Sequence, residues 1–438
     1  MKKRFSILFI TIILFFLSGN LFAETSSSSS ILGFTYLKLK NGMEVYMRPM
    51  RRAPLTAVRI LFKGGFKDEP ENHKGIAHLL EHMIFRGTEK YPAEAIYKLE
   101  RRGGFFNGLT GFDFTRYEIM VPEKEVINGT EMLVDMVFNP AIPGNEFEIE
   151  KKIVLAENLE REASQTSFYS LNLLYDFILR HDQQGIISLT REDLVTFHAK
   201  IYKPENAVFI IAGKYDEKKI LSILEKIENN DSKRAEEVTI KSKTGKTISE
   251  EVALQEQSYQ LLMAYELGEL SGNDLFLAKL IPYLIGYEGR KIDYLHGYTD
   301  ITYELALDRI GNMYYLLIYY ESADEKYTDE LGDRHKEGML KIVRRLTKKD
   351  FSRELKRINE ILGNYKNMHE YSAVYATSYL ISYLNSTYLL TSDLEAIKKV
   401  KNDDIHNFAK QKIFEKPYAW IVVRNKESKD KEQKEAKQ

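Results

Sequence analysis

Apolar and polar residues alternate along several stretches of the chain, which is the spacing of half-buried β-strands. A hairpin is predicted over LGFTYLKLKNGMEVYMRPM (32–50), where two alternating stretches flank the turn signal Asn41-Gly42. Another strand is predicted over TAVRILFKGG (56–65), and a pair of strands over GGFFNGLTGFDFTRYEIMVP (103–122). The first part of the chain is therefore expected to form a sheet.

Helical spacing of apolar residues lies between these strands and also follows them. It extends over HLLEHMIFR (78–86), which Gly87 ends, over AEAIYKLERR (93–102) and over GNEFEIEKKIVLAENLEREAS (144–164). Strands and helices that come in runs predict an α+β fold, with helices packed on a largely antiparallel sheet. No GxGxxG follows the first strand, which disfavours a dinucleotide-binding fold.

The second half of the chain repeats the first in a weaker form. TREDLVTFHAKIYKPENAVFIIAG (190–213) and KNDDIHNFAKQKIFEKPYAWIVV (401–423) both run from an acidic helix cap through a Lys-Pro turn into an apolar strand. Asp193 corresponds to Asp404 at an offset of 211 residues. A repeat this long indicates a duplicated domain rather than a solenoid. We therefore predict two domains of the same design.

Composition marks the limits of these domains. At the N-terminus, three basic residues are followed by the apolar run FSILFITIILFFLSG and then by Leu-Phe-Ala. This order is typical of a secretory signal peptide. A retained membrane anchor is the alternative. The predicted segments are a signal peptide (1–23), a flexible leader (24–31), a first domain (32–228), a polar linker (229–246), a second homologous domain (247–424) and a disordered tail (425–438).

Charge and cysteine content limit the binding partners and the cellular compartment that are expected for the protein. The 63 basic and 64 acidic side chains give a formal net charge of −1, so no overall field favours nucleic acid or an anionic membrane. The chain has no cysteine, which is compatible with an oxidising compartment. Together with the signal segment, this predicts an exported, periplasmic protein without membrane contact beyond that segment.

The stretch HLLEH carries the strongest chemical signal. His78, Glu81 and His82 share one face of a helix, while Leu79 and Leu80 turn towards the core. Two imidazoles four residues apart can bind one Zn²⁺, and the glutamate can reach a water at the metal, as in the HxxEH motif. One charged turn of an ordinary helix is the alternative. A catalytic zinc needs a third protein ligand, a carboxylate or histidine expected on a facing element.

The surrounding segment GFKDEPENHKGIAHLLEHMIFRGTEKYP (65–92) resembles the active site of the pitrilysin and insulysin type of zinc metallopeptidases, which include mitochondrial processing peptidase. The resemblance covers most of residues 32–424 and makes the first domain the catalytic one. It implies that His78 and His82 bind zinc, that Glu81 is the catalytic base, that Glu157 is the third ligand and that Glu150 orients the site. From the residues alone, Glu160 and Glu162 are equal candidates for the third ligand, and a solvated helix face is the ordinary reading of all three.

The same resemblance implies where a substrate binds. Asn107 and Gly108 match an Asn-Ala pair on an edge strand that pairs with the substrate backbone; a hairpin with a glycine-rich rim is the alternative. The second domain lacks HxxEH, and the family there has an Arg followed seven residues later by a Tyr. Tyr303 matches the Tyr as a donor to the developing oxyanion, but His296 stands at the Arg position. Packing within an aromatic-rich strand is the alternative for both.

The predicted function is a zinc-dependent endopeptidase that cleaves unfolded peptides in a clamshell chamber. An intact HLLEH beside an altered Arg position predicts the zinc-bearing subunit of a dimer. Its partner would be a second half-size chain that carries Arg-Tyr, with a homodimer as the alternative. A non-catalytic scaffold or binding subunit of the same fold is the rival interpretation, and a metal-dependent hydrolase of non-peptide substrates is disfavoured by the predicted strand at Asn107.

Overall fold

The computed structural model describes nine stretches of the chain: residues 30–163, 185–228, 251–254, 259–295, 301–322, 348–385, 389, 393–414 and 418–425. The predicted signal peptide and linker, most of the predicted tail, and His296 lie outside these stretches. Within them, no helix combines the length and the apolar character needed to cross a membrane.

The chain divides into two compact units. The first comprises Met1–Ala156, Asp182–Thr239 and Asn364–Ser386, and the second comprises Glu157–His181, Ile240–Gly363 and Thr387–Gln438. The division falls within the helix Gly144–Ala163, which is continuous across it.

The first unit is built on a seven-stranded sheet with the order β1-β2-β3-β7-β4-β6-β5. All neighbours are antiparallel except β3 and β7, which are parallel. The hairpin around Asn41-Gly42 is confirmed as β2 and β3, although β1 already begins within the predicted leader. The strands are β1 (Ser30–Ile31), β2 (Phe34–Lys38), β3 (Glu44–Pro49), β4 (Thr56–Phe62), β5 (Phe105–Thr110), β6 (Thr115–Val121) and β7 (Ala207–Gly213).

Helices cover one face of this sheet. A buried hydrophobic cluster joins alternate residues of β4, among them Ile60 and Phe62, to Leu79 and Leu80 of the first helix. That helix begins two residues before the predicted start because Gly75 takes up a left-handed φ of 87° at its N-cap. The helices are α1 (Ile76–Ile84), α2 (Glu94–Glu100), α3 (Val126–Phe138), α4 (Gly144–Ala163), α5 (Gly185–Ser188), α6 (Arg191–Ile201) and α7 (Glu217–Leu224).

The second unit has a five-stranded sheet with the order β10-β11-β9-β12-β8. Its strands are β8 (Glu251–Leu254), β9 (Tyr259–Gly268), β10 (Ile301–Ile310), β11 (Met313–Ser322) and β12 (Tyr418–Asn425). The helices that follow α7 along the chain are α8 (Gly272–Leu295), α9 (Lys348–Tyr371), α10 (Ala373–Asn385), α11 (Leu394–Ile397) and α12 (Asn402–Ala409). Asn425, assigned to the tail from its sequence, is the last residue of β12.

The order β8-β12-β9-β11-β10 of the second sheet repeats the order β3-β7-β4-β6-β5 within the first. β7 pairs parallel with β3 and antiparallel with β4. In the same way, β12 pairs parallel with β8 and antiparallel with β9. The caps predicted at Asp193 and Asp404 are present, since each carboxylate accepts a backbone N–H three residues earlier, from Thr190 and Lys401. The α+β fold with two duplicated domains is therefore confirmed.

The other face of the first sheet is covered by a helix from far along the chain. α10 packs its buried residues, including Ala376 and Leu380, against β4 and β7. Arg59 of β4 is buried there, lies 2.8 Å from the Glu118 carboxylate and donates a hydrogen bond of 2.9 Å to Ser378 Oγ. A buried charge needs such partners, and the bond to Ser378 joins α10 to the sheet.

Candidate metal centre

Helix α1 is held at its first turn by a buried carboxylate. Glu69, which is 5% exposed, accepts hydrogen bonds from the backbone N–H groups of Gly75 (3.0 Å) and Ala77 (2.9 Å). These are two of the N–H groups that a helix leaves without internal partners, and a negative charge there also complements the helix dipole. Glu69 is not predicted from the sequence, because a side chain six residues before the N-cap gives no recognisable capping signal. It fixes the direction in which α1 presents its functional face.

The functional face of α1 is the one that the spacing predicts. His78 and Glu81 are 7% and 8% exposed, and His82 is half-buried. The two imidazole rings lie 4.8 Å apart, centre to centre, and are perpendicular to each other. Leu79 and Leu80 on the opposite side are fully buried in the core. The helix therefore directs two imidazoles and one carboxylate to a common place.

Helix α4 brings a third donor to the two histidines. One ligand atom each from His78, His82 and Glu157 lie within 4.8 Å of one another. Ligand atoms of a tetrahedral zinc site, with bonds of about 2.0–2.2 Å, are roughly 3.3–3.6 Å apart, so small side-chain movements would close the group on an ion. The side chains of Glu160 and Glu162, the other candidates on α4, lie outside the described part of the chain.

Glu150 supports this group from behind His82. Its side chain is 1% exposed, and it accepts a hydrogen bond of 2.9 Å from His82 Nδ1 and another from Arg86. Burial raises the pKa of Glu150, but the bond with His82 and the charge of Arg86 outweigh burial, so that its pKa is lowered. With an ionised Glu150 at Nδ1, the Nε2 atom of His82 keeps its lone pair for a metal.

Replacing Glu150 by Gln is expected to lower zinc affinity by about 10–100-fold, the usual effect of losing a partner of a metal-bound histidine. The amide removes the charge that orients the His82 ring. Zinc affinity is measured by competition with a chromogenic chelator. Glu146→Gln is the matched control, because Glu146 lies one turn earlier on α4 and 3.9 Å from Arg86 Nε. Equal zinc affinities in the Glu150 variant and the wild type would contradict this role.

The predicted substrate strand lies beside α1 at the end of the sheet. Asn107 and Gly108 belong to β5, the last strand in the order. Asn107 is exposed, whereas Gly108 is half-buried and faces Glu81. From the same strand, Thr110 donates a hydrogen bond of 2.6 Å from Oγ1 to Glu81 Oε2, a contact that the sequence did not suggest.

The two predicted site residues of the second unit are not placed in a site. His296 lies outside the described residues. For Tyr303 the structure describes the backbone, which is part of β10 opposite Tyr320 of β11. Their predicted functions therefore stay predictions.

Two known proteins of similar sequence carry different functions. The zinc protease PqqE of Helicobacter pylori is 28% identical over 199 residues, which are 43% of this chain and 45% of that protein. Cytochrome b-c1 complex subunit 1 of mouse mitochondria is 27% identical over 202 residues, 43% of this chain and 41% of that protein. The chain spans about half the length of the curated relatives it matches.

Two solved structures share the fold over nearly the whole chain. A protease from Helicobacter pylori has a TM-score of 0.75 at 18% identity and covers 89% of this chain and 99% of its own. The periplasmic protease PqqL of Escherichia coli has a TM-score of 0.72 at 17% identity and covers 93% of this chain but 49% of its own. At these identities the similarity shows the fold.

Two family models match consecutive parts of the sequence. The model of the insulinase family, peptidase family M16, matches residues 47–187, which include HLLEH, Glu150 and Glu157. The model of the M16 inactive domain matches residues 188–358. Because the two models together match well over half of the sequence, this chain belongs to the M16, or insulinase, family of peptidases.

Proposed function

We propose that this protein is a zinc-dependent endopeptidase, in which His78, His82 and Glu157 hold the metal and Glu81 is the catalytic base. The proposal rests on the three ligand atoms, which lie within 4.8 Å of one another. Glu81 lies on the same face of α1 as the two histidines. The kinship with a named zinc protease supports it. An ordinary charged helix face gives no reason for a carboxylate of α4 to meet two imidazoles of α1.

The donor set fits a catalytic zinc. Two imidazole nitrogens and one carboxylate oxygen are among the known three-ligand sets that leave a fourth position open for water or substrate. No thiolate is available in this chain, which has no cysteine. The Glu150 carboxylate behind His82 completes the kind of support that zinc-bound histidines have.

Each residue of the proposed site then has its own role in peptide hydrolysis. When bound, zinc makes water a stronger acid and polarises a carbonyl group. Glu81 accepts a proton from the attacking water and passes it to the leaving amine, as a general base and then a general acid. Tyr303 donates a hydrogen bond to the oxygen of the scissile carbonyl as its charge develops.

The substrate of this site is an unfolded peptide. β5 stands at the end of its sheet, and a peptide in extended conformation can add to such a strand through main-chain hydrogen bonds with little sequence preference. Asn107 and Gly108 are the residues of β5 that would pair with it. A folded protein has no free extended segment to offer, so it would not be cleaved.

The protein acts as the zinc-bearing half of a clamshell. Support comes from the Escherichia coli protease, which is about twice as long as the part of it that this chain covers. The partner is a second half-size chain that carries Arg-Tyr, since His296 stands where the family has Arg. The alternative to such a partner is a homodimer, in which His296 helps to hold the substrate carbonyl.

The compartment of this activity is the periplasm. The basic and apolar residues at the N-terminus have the order of an export signal, and the fold is shared with a periplasmic protease. Clearance or processing of peptides in that compartment is the proposed task.

A second candidate function is a non-catalytic scaffold or binding subunit. It is favoured by the similarity to a subunit of the cytochrome b-c1 complex and by the match to an inactive-domain model. The proposed metal ligands and Glu81 argue for catalysis, because a scaffold has no need of them together. Cleavage by a zinc-loaded preparation separates the two candidates.

One protein substrate in two forms tests the proposed specificity. A reduced and alkylated protein, which cannot refold, is expected to be cut at several sites, while the same protein in its native state stays intact over the same time. A zinc chelator should stop the cleavage, and added zinc should restore it. Equal cleavage of both forms would contradict the strand-addition mechanism, and cleavage of neither would favour the scaffold.

A further inference from the structure

Strand β5 holds one oxygen of the Glu81 carboxylate directly. The hydroxyl of Thr110 donates a hydrogen bond of 2.6 Å to Glu81 Oε2. Both side chains are buried, each 8% exposed. An O–H bond to a carboxylate of this length belongs to the short, charge-assisted class, which is about twice as strong as a bond between neutral groups.

The same strand leaves space for the other oxygen. Gly108 precedes Thr110 by two residues and therefore faces the same side of the sheet. A Cβ atom on Gly108 would lie 2.6 Å from Glu81 Oε1 and 2.9 Å from two ring atoms of Phe85. Because real Cβ contacts under 3.0 Å are essentially absent, an added Cβ here would require a small movement of the Glu81 carboxylate and the Phe85 ring, which are both ends of side chains.

We propose that Thr110 is a positioning residue for the Glu81 base. The proposal rests on the proposed function, in which a peptide adds to β5. The strand that aligns the peptide would then also align the base, so that both are placed relative to each other by one element. Thr110 touches neither water nor peptide in this scheme; it acts through Glu81.

This arrangement predicts an effect on turnover rather than on substrate binding. If the Glu81 carboxylate leaves its position, the proton-transfer step becomes slower. The main chain of β5 can still pair with the peptide, so substrate binding is retained. A buried hydroxyl that merely fills space would show the opposite pattern. Its loss would reduce stability and leave kcat unchanged.

Three substitutions on the β5–β6 hairpin separate these possibilities. Thr110→Val removes the hydroxyl with little change in shape, and Thr110→Ser keeps it. Thr115→Val is the matched control, because Thr115 pairs with Thr110 across the hairpin and donates its own buried hydrogen bond of 3.0 Å to the Gly64 carbonyl. For each variant we would measure kcat and KM on an unstructured peptide, zinc content and thermal unfolding.

For Thr110→Val we expect kcat to fall by about 10–100-fold, with unchanged zinc content and a KM within about twofold of the wild type, since a hydrogen bond to a charged group has about this net effect. Thr110→Ser should recover most of kcat, and Thr115→Val should retain it. Wild-type kcat in Thr110→Val, or an equal loss in Thr110→Ser, would overturn the proposal.

A structural measurement keeps this test apart from the test of the proposed function. In crystal structures of the wild type and of Thr110→Val, we expect the Glu81 carboxylate to lose its single position in the variant while His78 and His82 stay in place. These results do not depend on cleavage, so an inactive wild type would contradict the proposed function alone. An unmoved Glu81 in Thr110→Val would overturn the positioning role.

Discussion

Replacement of Glu81 by Gln is expected to leave zinc bound and to lower kcat by about 10²–10⁴-fold, the range that general acid–base catalysis contributes. Gln has the shape of Glu, and its amide oxygen can still accept the hydrogen bond that Thr110 gives at 2.6 Å. An amide cannot take up a proton at neutral pH, so the attacking water keeps both of its protons. The loss should therefore appear in the chemical step, with the fold and the metal intact.

The measurement compares zinc content and peptide cleavage of this variant and of Glu125→Gln. Glu125 is as buried as Glu81 but pairs with Arg102, 3.1 Å away, outside the proposed site. This control shows what the loss of any buried carboxylate does. Wild-type cleavage by Glu81→Gln with zinc bound would mean that Glu81 is not the base.

Replacement of Glu157 by Gln is expected to remove the metal itself. A neutral amide oxygen is a much weaker zinc ligand than a carboxylate, and only His78 and His82 would remain. Loss of a histidine partner such as Glu150 is expected to lower zinc affinity by about 10–100-fold. Loss of the ligand Glu157 should lower it further. Activity should fall with the zinc content and recover in part at high zinc concentration.

Glu148→Gln is the matched control for this experiment. Glu148 lies on α4 as well, but its side chain is 64% exposed, and it is not part of the metal-binding group. Zinc content by mass spectrometry and cleavage are measured for both variants. If the Glu157 variant keeps one tightly bound zinc per chain, the third ligand lies elsewhere, and Glu160 and Glu162 become the residues to test.

These two variants isolate different parts of the site. The Glu81 variant would keep the metal and lose turnover, whereas the Glu157 variant would lose both. A scaffold protein would show neither pattern, because its wild type would not cleave peptides.

Periodicity predicted the elements that carry the site better than it predicted their contacts. The spacing of HLLEH fixed which side of α1 faces the core, because Leu79 and Leu80 must be buried together. The alternating stretch around Asn107 in the same way predicted β5. Helix and strand boundaries moved by a few residues, since Gly75 begins α1 earlier than the first histidine suggested.

The third donor could not be found from the residues alone. Glu157 lies 79 residues after His78, on a helix with many acidic side chains, and nothing local distinguishes it from Glu160. Only the resemblance to a peptidase family singled it out. Glu69 and Thr110 were missed for the same physical reason, because their contacts with α1 depend on how separate elements pack.

Long-range packing also brought α10 onto the first sheet. The residues of α10 do not indicate which sheet the helix covers. The contact between Arg59 and Ser378, 319 residues apart, joins them. A buried arginine indicates only that it has some partner. Many serines in the second half of the chain could have accepted its hydrogen bond.

Whether this protein is a zinc peptidase is decided by measuring zinc content and cleavage of an unstructured peptide on one preparation, before and after chelation and after zinc is added back. The chain is assayed alone and with any half-size partner encoded beside it. We predict one zinc per chain, and cleavage that disappears and returns together with the metal. A preparation that holds one zinc per chain and cleaves nothing, alone or with the partner, would contradict the account.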